Sequence, residues 1–253
     1  MRIPTLTGTI KRRLLVNFRA DPEVVGLLLP DPFRPKLHRG FAVVGICLIR
    51  LEHERPLKAP PILGLASENA AHRFAVEWTA PDGTLSEGVF IPRRDTDSLF
   101  NLLVGERVFP IGQHSARFEV TDVGGHVELS MRSHDGKCEI DLAGDDAEYV
   151  PSGSCFESLD VASSFFRGGA IGFSPARRGE RLDAVELSMP EWHAGAFAVS
   201  AVRSSYFEDT QRFPAGSVEF DHALIMRDML HEWRSARDPG SAAAAAPADA
   251  VTA

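Results

Sequence analysis

The chain has 253 residues, 44% of them hydrophobic, enough to bury one substantial core. Its formal charge of −8 argues against a broad nucleic-acid-binding surface. The longest apolar run, Ala42 to Ile49, is far too short to cross a membrane, and MRIPTLTGTIKRRLLVNF lacks the apolar core of a signal peptide.

The expectation is therefore a cytoplasmic protein with neither a nucleic-acid nor a membrane partner. Three cysteines, Cys47, Cys138 and Cys155, show no CxxC spacing and read as reduced thiols.

In chain order, Arg12 to Arg19 reads as a strand. Asp21 followed by Pro22 gives an N-cap and a proline at the first helical position, starting a short helix that Pro30 stops. PDPFRPKLHRG is an irregular loop. Phe41 to Leu51 is apolar on both faces, hence a central strand, with Arg50 near its end.

Residues 65–78 form the next strand, with two rows. Glu68, Ala70, His72, Phe74, Val76 and Trp78 share one face; Asn69, Ala71, Arg73, Ala75 and Glu77 share the other. Either row could line a cavity. The Glu68–His72 row mixes ionisable and aromatic groups, as a ligand pocket does. The Arg73–Glu77 row reads more simply as an outer face.

After a turn at Asp82-Gly83, Val89, Phe90 and Ile91 form a strand that should end near Pro92, which has no N–H for a ladder. Asp95 or Asp97 would cap a short helix carrying Leu99, Leu102 and Leu103, closed by Gly105. Arg93 and Arg94 beside that helix start suit an anion site, or surface ion pairs with the two aspartates. His114, among apolar neighbours on the following strand, is either a core histidine or a pocket residue; the core reading is the commoner outcome.

Val127 to Met131 and Cys138 to Leu142 alternate as an antiparallel meander around Asp135-Gly136. Asp141, Asp145, Asp146 and Glu148 lack the spacing of a calcium loop and read as a solvated face. Ser158 caps a helix to about Arg167, and strands recur near 183–189, 196–207 and 217–229. Residues 1–236 read as a single β-rich domain and 237–253 as a disordered tail. No nucleophile elbow, dinucleotide fingerprint or phosphate loop occurs. The scattered histidines give no metal-ligand spacing, so no metal and no cofactor are expected.

RRLLVNFRADPEVVGLLLPDPFRP, SENAAHRFAVEW, EGVFIPRRDT and RVFPIGQHSARF, in this order over most of residues 8–232, resemble the YqjF-like uncharacterised bacterial family, which is similar in fold to acetoacetate decarboxylase. The resemblance implies an α+β, β-rich fold: a cone-shaped double β-barrel with an internal ligand cavity, a few short flanking helices and a possible homo-oligomer.

It places the decarboxylase's Schiff-base lysine after Phe109-Pro110, where Ile111 and Gly112 stand. Lys11, Lys36, Lys58 and Lys137 all read as exposed, so Schiff-base decarboxylation is disfavoured. Glu68 matches the decarboxylase glutamate. The resulting expectation is an enzyme on a small organic acid or carbonyl compound, with Glu68 and His114 as acid and base and Arg94, His72, Arg93 and Arg50 binding substrate. The alternatives are a non-catalytic metabolite-binding barrel and a barrel filled by its own side chains.

Overall fold

A computed structural model describes residues 5–98, 112–175 and 182–236. The helix expected over Leu99 to Leu103, the Phe109–Ile111 segment and the tail lie outside the described residues.

Thirteen strands form one sheet: β1 (Leu6–Ala20), β2 (Arg34–Pro35), β3 (Leu37–His38), β4 (Phe41–Pro56), β5 (Leu65–Thr79), β6 (Leu85–Thr96), β7 (His114–Val123), β8 (His126–Ser133), β9 (Glu139–Ala147), β10 (Ile171–Pro175), β11 (Leu182–Ser188), β12 (Gly195–Ser204) and β13 (Val218–Ser235). The described helices are α1 (Pro22–Leu28) and α2 (Leu159–Arg167), and neither is long and apolar enough to cross a membrane. Asp21 accepts the Glu23 N–H at 2.8 Å and Pro22 starts α1, while Ser158 accepts the Val161 N–H at 3.2 Å to start α2.

The sheet closes on itself twice. One circuit runs β6-β7-β8-β9-β12-β13-β1-β4-β5 and closes because β5 also pairs with β6. The other runs β10-β11-β13-β1-β4-β5-β6 and closes through β6–β10 and β11–β13. β13, β1, β4, β5 and β6 form a wall common to both, so each of these strands sends alternate side chains into different interiors.

The larger circuit is packed with apolar side chains, among them Phe74, Phe90, Phe207, Phe213, Met131 and Ile140. The smaller one is lined by Leu15, Ile49, Leu51 and Leu187 and covered by Phe165 and Phe166 of α2. Burying such surface contributes roughly 25 cal/mol per Å² and dominates the stability of both halves.

Two irregularities in the common wall decide which charged groups face which interior. Between β5 and β6, His72 pairs with Arg93 but Phe74 pairs with Phe90, so the one residue between them on β5, Arg73, stands opposite two on β6, Ile91 and Pro92. The strand therefore does not stop at Pro92: it bulges there, where no ladder N–H is required, and continues to Thr96. In β4, Leu51 pairs with Ser67 but Glu54 pairs with Leu65, a second bulge containing His53 at φ +56°. Gly64 fits against it because a Cβ there would lie 2.6 Å from the His53 Cα. A bulge shifts the in–out alternation by one residue, and both shifts bear on the site.

Candidate active site in the smaller circuit

A cavity of about 260 Å³ opens inside the smaller circuit, lined by residues from all seven of its strands and from α2. Most of the lining is apolar, with Leu63 and Leu65 partly exposed among it. Its charged residues are Arg13, Lys36, Glu54, Arg55, Arg73, Glu87, Arg94 and Asp95.

Two of the three acids are committed. Glu87 pairs with Lys36 at 2.5 Å, and Asp95 turns its carboxylate away to Arg93 at 2.7 Å. Glu54 has no cationic partner among the described residues. It is half-buried at the edge of an enclosed space, and that burial alone pushes its carboxyl up to about 7.

The arginines of the lining form no ion pair among the described residues. Arg94 reaches the cavity because the Pro92 bulge turns it there, and its Nε donates to Ser174 Oγ at 3.1 Å. Gly172 leaves room for it: a Cβ there would stand 3.4 Å from Arg94 Nη2 and 2.9 Å from Ile91 Cδ1. Arg73 lies under the ring of Phe166, 4.7 Å from its centroid. Arg13 lies 5.9 Å from the Trp192 ring, with Nε and Nη1 buried and unpartnered. Burial lowers Arg73 and Arg94 to about 10, which still leaves both protonated at neutral pH.

Arg73 is held from behind. Its Nη2 donates to Asn17 Oδ1, and Asn17 Nδ2 donates to the Leu15 carbonyl at 3.0 Å. Those two bonds fix the amide, because guanidinium only donates and a carbonyl only accepts. His222 Nε2, 3.0 Å from Asn17 Nδ2, must then accept, which leaves Nδ1–H to donate to Asp221 at 2.6 Å. The relay ends on Asp221, which also accepts from Ser154 Oγ and the Cys155 N–H. These bonds outweigh desolvation and hold its carboxyl at about 2.

Of the residues expected to form the site, only Arg94 lines this cavity. Glu68 and His72 share a face, as the alternation predicts, but that face turns into the larger circuit. Glu68 is buried against Arg12 at 2.8 Å, with Arg50 at 4.0 Å. Desolvation raises its carboxyl and the Arg12 charge opposes that rise. His72 is fully buried, bonded to Ser204 Oγ at 3.1 Å and stacked on Tyr206. Burial lowers it to about 3, so it is neutral.

Arg93 is tied to Asp95 and Asp135, and Arg50 lies beside Glu52. His114 is neither core nor pocket: it is exposed and 3.3 Å from Asp135. The row read as an outer face, Asn69, Ala71, Arg73 and Ala75, lines the cavity instead. Lys36, expected at the surface, has a side chain only 19% exposed, over the Phe165 ring.

His72, Asp95 and Cys138 bring three ligand-capable atoms within 4.8 Å of one another in the larger circuit. Asp95 is already bonded by Arg93, and burial pushes the Cys138 thiol up to about 12. A cation there would have to displace one and deprotonate the other.

The closed strand-rich sheet with its internal cavity is of the acetoacetate decarboxylase-like fold. The chain belongs to the DUF2071 family of uncharacterized conserved proteins, whose model matches residues 7–224. No curated protein matches it in sequence.

Its fold is similar to acetoacetate decarboxylase from Legionella pneumophila, at 10% identity and TM-score 0.56 over 92% of this chain and 84% of that one. It is also similar to the enduracididine biosynthesis enzyme MppR complexed with pyruvate, at 13% identity and TM-score 0.56 over 94% and 90%. An acetoacetate decarboxylase-like enzyme from Sphingomonas wittichii RW1 matches at 13% identity and TM-score 0.53 over 90% and 89%. Identities this low establish the fold and leave the chemistry to this chain's own residues.

Proposed function

We propose that this protein is an enzyme that binds a small organic acid in the cavity of the smaller circuit and transforms it by proton transfer. The observation carrying this reading is that Arg13, Arg73 and Arg94 and one carboxyl without a cationic partner among the described residues, Glu54, line a single, mostly apolar cavity. Guanidinium groups bind carboxylates with directed, charge-assisted bonds, here strengthened by exclusion of water. A carboxyl titrating near neutrality exchanges a proton at little cost in either direction, as a general acid or base requires.

The reading moves the acid–base role from Glu68 and His114 to Glu54. It keeps Arg94 as an anchor and adds Arg73 and Arg13. Schiff-base chemistry is not supported by the described residues, since Lys36, the lysine that lines the cavity, is committed to Glu87 and to the Phe165 carbonyl at 3.3 Å. That small acids are the ligand class accords with the pyruvate complex of MppR, a protein of the same fold.

The test is a thermal-shift screen of small carboxylic, keto and hydroxy acids, followed by turnover assays on those that bind. Glu54→Gln should retain binding and lose turnover. Full turnover in Glu54→Gln would remove Glu54 from the chemistry, and unchanged shifts in Arg94→Gln would place binding elsewhere.

A further inference from the structure

The register of the common wall shows how the cavity cations are laid out. Arg73 lies level with Gly45 of β4, Arg94 with Ala71 and hence Cys47, and Arg13 with Ile49. These are successive two-residue levels of one wall, each step about 6.6 Å along the strands. Glu54, paired with Leu65, lies further along in the same direction, beyond the second bulge, and Arg55 follows it. The arginines therefore form a staggered ladder spread over β1, β5 and β6, with the free carboxyl beyond one end.

Charge balance decides what such a ladder is for. Four arginines line the cavity, Arg13, Arg55, Arg73 and Arg94, and none forms an ion pair among the described residues. Arg13 Nε and Nη1, Arg55 Nε and Arg73 Nε are buried without a hydrogen-bond acceptor among the described residues. Aromatic faces offset part of the charge on Arg13 and Arg73. A buried cation without an anion is otherwise strongly disfavoured, so charge of this density implies an anionic occupant. One carboxylate satisfies one fork and leaves the remaining levels unpaired.

We propose that the cavity takes a small acid carrying two anionic groups, held at different levels of the arginine ladder, dicarboxylic acids being the simplest of the class. This rests on the reading of the cavity given above and specifies its substrate class. Arg73, fixed by Asn17, and Arg94, seated over Gly172, are the prearranged anchors. Arg13 and Arg55 add further positive charge to the lining. The Gln113 side-chain oxygen, buried and unpartnered among the cavity-lining residues, supplies an acceptor for a hydroxyl on the connecting carbons.

Titration calorimetry on the full chain at pH 6 tests this with malonate, succinate, glutarate and adipate, each beside its half methyl ester and the matching monocarboxylate. The expected result is that at least one diacid binds about tenfold or more tighter than its half ester, the factor of one charge-assisted pair. Arg94→Gln and Arg73→Gln should each erase that advantage, and Arg94→Lys should keep part of it. The half-ester comparison needs no variant, so a misfolded mutant does not blunt the test.

Half esters binding as tightly as diacids would overturn the two-anion proposal while leaving the small-acid reading intact. Absence of binding by every acid would overturn both. Binding of phosphoglycolate with no binding of diacids would uphold two anionic groups and assign one of them as phosphate.

Discussion

Replacing Glu54 with glutamine should make the protein more stable at high pH and leave it unchanged at low pH. The Glu54 carboxyl titrates at about 7 in the folded chain against an ordinary 4.5, and burial is the cause. The folded state therefore holds the proton more tightly than the unfolded state does. The resulting stability is fully present below about 4.5, is lost as pH rises toward 7, and stays lost above it.

The full loss is up to about 3 kcal/mol, from 1.36 kcal/mol per pH unit of difference. For a domain of this size that is roughly 6–12 °C in Tm. Urea unfolding of wild type and Glu54→Gln at pH 4, 5, 6, 7 and 8 measures it. His72 and His231, lowered by burial to about 3 and 4, pull wild-type stability upward with pH below about 6.5. Both remain in the variant and cancel in the difference. A difference that stays constant from pH 4 to pH 8 would refute the claim that Glu54 is a desolvated, unpaired carboxyl.

Three further outcomes are expected. Glu68→Ala leaves Arg12, only 3% exposed, without its closest partner, and should cost about 3–5 kcal/mol in chemical denaturation while leaving acid binding unchanged. Gly172→Ala places a methyl against Ile91 and Arg94 and should weaken acid binding by about tenfold with a much smaller loss of stability, read by calorimetry beside a melting curve. Asn17→Leu removes the partner of both Arg73 and His222 and should cost about 1–3 kcal/mol for the groups left unsatisfied. It should also lower acid affinity, a readout that a purely structural role for Asn17 would not move.

Much of the fold can be read directly from the sequence. Asp21-Pro22 and Ser158 carry their helix starts in the identity of one or two residues, and the meander around Asp135-Gly136 follows from alternation alone. The β-rich architecture follows from the family resemblance, and the fold of the similar structures agrees with it.

The site is far less legible because alternation specifies which residues share a face, not what that face meets. Glu68 and His72 do share a face, and it meets packed phenylalanines. Beyond a bulge even the shared face is lost: nothing in EGVFIPRRDT announces that the strand gains a residue at Pro92 and turns Arg94, rather than Arg93, into the cavity. His53 hides Glu54 in the same way.

What separates the row proposed to bind ligand from the other row in this wall is ion pairing. β5 carries Glu68 and His72 on one side and Arg73 on the other, all buried and all capable of chemistry. Glu68 has Arg12 and His72 has Ser204, while Arg93 on β6 has Asp95 and Asp135. Each of these residues has a partner within the fold, although Arg12 Nε and His72 Nδ1 find none among the described residues. Arg13, Arg73 and Arg94 receive no carboxylate among the described residues, although the chain carries 35 acidic residues against 27 basic ones. The most buried arginine, Arg12, is paired with Glu68, and the lack of such a pairing for Arg73, which is nearly as buried, is what the proposed anionic ligand accounts for.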